Sequence, residues 1–133
     1  MNTKTLMTKC SLMLALAGIF ALFLPDVLLA MFGASADNLS VLIQLMGALY
    51  FSMALMNWTA KDSAIGGIYA RPVSLANFSH FLIGTLLLVK YVLSSGFNVS
   101  IVLMLVVYAI FAILFYWRVF RATGIKVNEN TQQ

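Results

Sequence analysis

Two long apolar runs are separated by N-W-T-A-K-D-S-A-I-G-G-I-Y-A-R-P-V-S-L-A-N-F-S-H, residues 57–80. Lys61, Arg71, two glycines, two asparagines and the single histidine of the chain fall within it. It is either a small chemical site or the place where a hairpin turns, and its flanks decide between them. Residues 39–60 and 73–95 are each close to the roughly 20 apolar residues that carry a helix across a hydrocarbon core of ~30 Å. Gly66 and Gly67 suit a turn that needs positive φ. Pro72 suits the first turn of a helix, where its missing N–H is not needed. The stretch therefore reads first as a turn at a membrane surface.

Two further apolar runs, 10–32 and 99–117, complete the set. The chain of 133 residues is 62% hydrophobic and 9% charged, where a soluble domain carries about 25% charge. So few charges cannot cover a water-facing surface. The expected fold is all-α: one integral membrane domain over 1–133, a bundle of four transmembrane helices. Short connections make it antiparallel, up-down-up-down, with residues 118–133 as a polar cytoplasmic tail whose end, K-V-N-E-N-T-Q-Q (126–133), reads as disordered. Pro25 falls inside the first run and should kink it or end its regular hydrogen bonding. Asp37, Asn38 and Asn98 stand where helix starts need caps.

Lys4, Lys9, Lys61, Arg71, Arg118, Arg121 and Lys126 fall on one side of such a bundle and Lys90 alone belongs to the other. Basic residues mark the cytoplasmic side, so both termini are expected inside. Trp58, Tyr69, Tyr116 and Trp117 form an aromatic belt at that interface. The net charge of +4 is thus an orientation signal rather than a nucleic-acid patch. Lys4 and Lys9 followed by Ala34, Ser35 and Ala36 imitate a secretory signal, but the apolar run exceeds the usual 7–15 residues, and the first span is expected to stay uncleaved. Cys10 stands alone, which rules out an internal disulfide and a multi-cysteine metal site. No phosphate-loop or dinucleotide glycine pattern is present, so the sequence names no cofactor.

Polar groups inside a bilayer are costly and face the bundle interior. Gly47, Tyr50, Ala54, Asn57 and Lys61 fall on one face of the second span; Val73, Asn77, His80, Gly84, Leu87 and Tyr91 share one face of the third. A turn near residue 67 sets Asn57 opposite Asn77, Ala54 opposite His80 and Tyr50 opposite Gly84. Small residues then face large ones, and these two spans are expected to be the tightest pair. The same register places Gln44 opposite Lys90, with Asp26 of the first span at similar depth. This outer layer reads as an ion relay, as an Asp26–Lys90 pair bonded by Gln44, or as a Lys90 that snorkels to the headgroups. The inner layer of Asn57, Asn77, Ser79 and His80, with Lys61 and Arg71 at its mouth, is a candidate ligand site. A lone histidine there is not a metal centre. It suits a hydrogen bond to a quinone carbonyl, the acceptance of a proton, or a bond across the hairpin.

L-P-D-V-L-L-A-M-F-G (24–33) followed by L-I-Q-L-M-G-A-L-Y (42–50) resembles the small four-helix bacterial membrane proteins called DoxX-like. The resemblance covers the first two spans and the four-span layout. It implies a bacterial inner-membrane, multi-pass location and association with membrane oxidoreductase complexes, and it carries no catalytic residues over. Three functions follow from the whole reading. The first is a non-catalytic accessory or scaffold subunit, which the absence of a nucleophile–base set, paired carboxylates and metal ligands favours over an enzyme. The second is a subunit binding a quinone or other lipophilic ligand around His80. The third is an oligomeric transporter or channel through Asp26, Gln44 and Lys90. The expected partners are the lipid bilayer, with a larger membrane complex or further copies of the chain, and no nucleic acid.

Overall fold

A computed structural model describes residues 3–33, 39–62 and 70–121. They form five helices: α1 (Thr3–Phe23), α2 (Pro25–Met31), α3 (Leu39–Ala60), α4 (Ala70–Ser95) and α5 (Val99–Arg121). No strand occurs among the described residues. Helices α1, α3, α4 and α5 are long and apolar enough to cross a membrane, the layout of a multi-pass transmembrane protein. Burial agrees with lipid contact. Leu93 is 82% exposed while Asn57 and Asn77 are 0% exposed, the reverse of a water-soluble domain and the arrangement hydrocarbon demands. The expected Gly66–Gly67 turn, Tyr69 of the belt, the caps at Asp37 and Asn38, residues 34–36 and the tail beyond Arg121 lie outside the described residues.

The first span differs from its expected bounds of 10–32 at both ends. It starts at Thr3, because Thr3, Leu6, Met7 and Cys10 recur at helical spacing and are all buried, leaving Lys4 and Lys9 on the exposed face. It ends at Phe23. Pro25 has no N–H to continue the ladder, Leu24 takes a non-helical φ of −130° and ψ of 47°, and α2 restarts with Pro25 in its first turn. Gly33, at φ 71°, then stops α2 in a conformation that costs glycine little. At the other end of the chain Asn98 caps α5: its Oδ1 accepts the N–H groups of Ser100 at 2.9 Å and Ile101 at 3.4 Å. Pro72 sits in the first turn of α4, as expected.

The most extensive helix pairs are α1 with α3 and α4 with α5. This corrects the expectation that α3 and α4, the second and third spans, pack most tightly. Gly47 does serve close packing, but toward α1. A Cβ built on Gly18 would lie 2.8 Å from the Gly47 carbonyl oxygen and 2.9 Å from the Phe51 nitrogen. The two backbones touch, as small residues permit in a membrane. On this pair contacts run in opposite directions along the two helices: Ser11 donates to the Ala54 carbonyl at 2.7 Å, and Gln44 to the Leu22 carbonyl at 3.3 Å. The α4–α5 pair is held by rings. Phe81 stacks on Phe111 at 5.0 Å and on Phe115 at 6.0 Å between centroids, each contact worth about 0.5–1.5 kcal/mol beyond its buried area.

The two pairs meet near one end of the bundle. Its core is Leu6, Cys10, Leu14, Ala54, Phe81, Tyr108, Ala112 and Phe115. In α4 the buried residues Ala70, Ser74, Asn77 and Phe81 follow one helical stripe that stops there. From Leu86 to Ser95 that helix is largely exposed.

Candidate functional site

The joint between the two pairs is polar. Asn57 of α3 and Asn77 of α4 exchange reciprocal amide hydrogen bonds, 3.0 Å from Asn57 Nδ2 to Asn77 Oδ1 and 2.8 Å in return. Each amide spends its second N–H on its own helix: Asn57 on the Met53 carbonyl at 2.9 Å, Asn77 on the Val73 carbonyl at 2.7 Å. Both donors of both side chains are therefore used. Cys10 of α1 points its thiol at Asn77 Oδ1 at 3.5 Å, so three helices close on one amide pair. Near the same end Arg118 of α5 donates to the Thr3 hydroxyl of α1.

One to two turns further along the helices lies a second cluster. The Tyr50 hydroxyl of α3 meets the Tyr108 hydroxyl of α5 at 2.8 Å, and Tyr108 in turn meets His80 Nε2 of α4 at 3.3 Å. His80 stands among rings, with centroids of Phe81 at 5.1 Å and of Tyr50 and Tyr108 at 5.5 Å. Gly84 makes room for this: a Cβ there would come within 2.5 Å of Tyr108 Cδ1. Gly84→Ala is expected to push the Tyr108 ring off α4 and break its bond to His80. The overpacking cost of about 1–3 kcal/mol is offset by up to about 1 kcal/mol of helix propensity. A lowered thermal midpoint in detergent checks it; an unchanged one would mean the ring yields freely.

The sequence-derived pairs are thus partly rearranged. Asn57 does face Asn77. Ala54 does not answer His80; its carbonyl takes the Ser11 hydroxyl of α1. Tyr50 does not answer Gly84 directly, since the Tyr108 ring covers that glycine. The inner layer does not extend to its expected mouth. Lys61, just past the end of α3, lays its ammonium 2.9 Å from the centroid of the Trp58 ring of that helix, a cation–π contact, and Arg71 is exposed. Nearby, Lys4 bridges Asp62 at 2.7 Å and, through that hydrogen bond first, holds the Asp62 carboxyl below the usual carboxylate range.

The expected outer layer of three residues is a layer of two. Asp26 Oδ1 accepts the Ser40 hydroxyl at 2.6 Å, and Gln44 takes the Leu22 carbonyl beside the Pro25 break. Both tie α1 and α2 to α3. Lys90 is exposed on α4, and no ion pair links it to Asp26. Lys90 stands apart because α3 and α4 meet only near one end, and the buried stripe of α4 stops at Phe81. No group of three histidine, cysteine or acidic side chains that could hold a metal ion occurs among the described residues.

A partly open groove of about 310 Å³ adjoins the second cluster. Met13 and Ala17 of α1 and Leu103 and Val107 of α5 wall it, and Tyr50 and Tyr108 complete a lining that is almost wholly apolar. In the sequence Tyr108 lies within the apolar run 99–117, which hides its role. The one signal there is the hydroxyl itself, which needs a partner when a tyrosine is buried. Comparison with known proteins finds no matching family model, no matching curated protein and no matching solved structure.

Proposed function

We propose that the chain is a non-catalytic accessory or scaffold subunit of a membrane assembly. The observation that carries this reading is the Asn57–Asn77 pair, whose donors are all spent on holding helices. Other polar contacts have the same character: Ser11, buried, and Gln44 and Ser40, on more exposed faces, each join one helix to another. An interior whose hydrogen bonds serve helix association is a rigid body offering an apolar exterior to lipid and to neighbouring helices. The exposed apolar surface of the second half of α4 and the start of α5, including Leu86, Leu87, Leu93 and Leu103, gives a neighbour room to pack.

The topology belongs to this proposal. The opposed contact order on α1 and α3 favours an antiparallel up-down bundle, and the bias of lysine and arginine favours cytoplasmic termini. A bacterial inner-membrane setting and kinship with DoxX-like proteins rest on residues 24–33 and 42–50. A quinone or other lipophile held by His80 together with Asn57 and Asn77 has less support, since the two amides have no donor to offer it. A conducting path has less still: Asp26 and Gln44 are engaged with neighbouring helices, and Lys90 stands apart.

The test is native mass spectrometry of the protein extracted gently from its own membrane. A second polypeptide at fixed stoichiometry, lost when Leu86 and Leu93 are changed to serine, is the expected result. A bare 14.6 kDa monomer under conditions that keep other membrane complexes whole would overturn the proposal.

A further inference from the structure

The groove between α1 and α5 borders the Tyr50–Tyr108–His80 chain, whose Tyr50 end has hydrogen-bonding capacity that joining α3, α5 and α4 does not use. We propose that it binds the oxygen-bearing head of an uncharged lipophile, an alcohol or a ketone, with the Tyr50 hydroxyl as its hydrogen-bond partner. This goes beyond the scaffold reading and does not depend on it.

The walls set the first condition. Met13, Ala17, Leu103 and Val107 carry no charge and no hydrogen-bonding side-chain group that could compensate one, and a charged head moved among them would lose its hydration without return. The volume sets the second. About 310 Å³ lies at the small end of ligand sites, which run from about 300 to 1,000 Å³. It takes a head and the first part of a chain, while the open side leaves the rest in lipid.

The tyrosines set the third. Tyr108 is 6% exposed and its hydroxyl is committed between Tyr50 and His80. Tyr50 is less buried and is committed on one side only. Proton counting along the chain then fixes what Tyr50 offers. With the His80 proton on Nδ1, Tyr50 donates to Tyr108 and Tyr108 to His80, so the Tyr50 oxygen is left to an occupant as an acceptor. With the proton on Nε2, His80 donates to Tyr108 and Tyr108 to Tyr50, and the Tyr50 O–H is left over as a donor. The first state fits a hydroxyl and the second a carbonyl. An imidazole at the far end of two phenols makes the groove serve both, with no charge created in either state.

The experiment uses the full chain in phosphatidylcholine nanodiscs and two photoactivatable probes, a diazirine-bearing hexadecanol and its hydrocarbon counterpart without the oxygen. Sites of labelling are read by peptide mass spectrometry. The alcohol is expected to label the segments around Met13 and Leu103 about three- to tenfold more than the hydrocarbon, the factor one net hydrogen bond supplies. Unlabelled hexadecanol and 2-hexadecanone should both compete. Tyr50→Phe should bring the alcohol down to the level of the hydrocarbon, with folding checked by circular dichroism. Ala17→Leu, which fills the groove and leaves the hydroxyl chain alone, should abolish labelling by both probes and keeps the test decisive if Tyr50→Phe does not fold. Equal labelling by alcohol and hydrocarbon would mean that the groove holds a lipid acyl chain by shape, and would overturn the proposal. So would undiminished labelling of Tyr50→Phe.

Discussion

Gly47→Leu is expected to force α1 and α3 apart and to give the largest loss of stability of any single substitution proposed here. A Cβ at position 47 would stand 2.9 Å from the Gly18 carbonyl oxygen, 2.9 Å from the Leu22 nitrogen and 2.9 Å from the Ala21 Cβ. Two of those atoms are backbone and cannot rotate away, so the helices themselves must separate. Separation also strains the Ser11–Ala54 and Gln44–Leu22 bonds on either side. Overpacking commonly costs about 1–3 kcal/mol, and a whole leucine at a backbone crossing belongs at the top of that range or above it. Gly47→Ala should cost less, since alanine recovers about 1 kcal/mol of helix propensity. Reversible unfolding in mixed detergent micelles, followed by circular dichroism, measures both. A midpoint unmoved by leucine would show that the helices do not cross this closely.

Asn77→Leu is expected to be the second most damaging change. It leaves Asn57 with an unpaired amide oxygen and one idle N–H, and it takes the acceptor from the Cys10 thiol. Stranding a buried polar group costs about 1–3 kcal/mol. A single cross-helix bond in a membrane is usually worth less, about 0.6 kcal/mol and at most about 1.7, so the stranding rather than the lost bond should dominate. Asn57→Leu should cost somewhat less, because Cys10 still has its acceptor. The double variant is the sharper test. With both amides gone nothing is stranded between them, and its loss should fall short of the sum of the singles by about 1 kcal/mol. Strict additivity would mean that the two side chains are not coupled.

Much of this architecture can be read from hydropathy alone. Four runs of apolar residues become four long helices because a buried backbone in lipid must bond to itself. Pro25 announces the break between α1 and α2, and Asn98 the start of α5, since both act through local geometry. Asn57 opposite Asn77 is legible because polar groups in hydrocarbon seek each other. The pairing of helices is not. Gly47 advertises a close approach but not to which neighbour, and only the positions of Gly18 and Ser11 on α1 decide it. Tyr108 and Cys10 are invisible for a related reason: their importance comes from lying diagonally across the bundle from Tyr50 and Asn77, a relation that no single helical face contains.

The polar joint has a consequence for how the molecule comes together. α1 and α3 lie close along the chain, as do α4 and α5, and short loops close at little entropic cost. The joint instead links Cys10 to Asn77 and Thr3 to Arg118, separations of 67 and 115 residues, and contacts that distant form late. During synthesis the chain therefore passes through a stage in which its first half is complete and Asn57 faces hydrocarbon without its partner. The arrival of Asn77 ends that stage: a chain cut short before α4 keeps the Asn57 carboxamide without its partner, and a finished one does not.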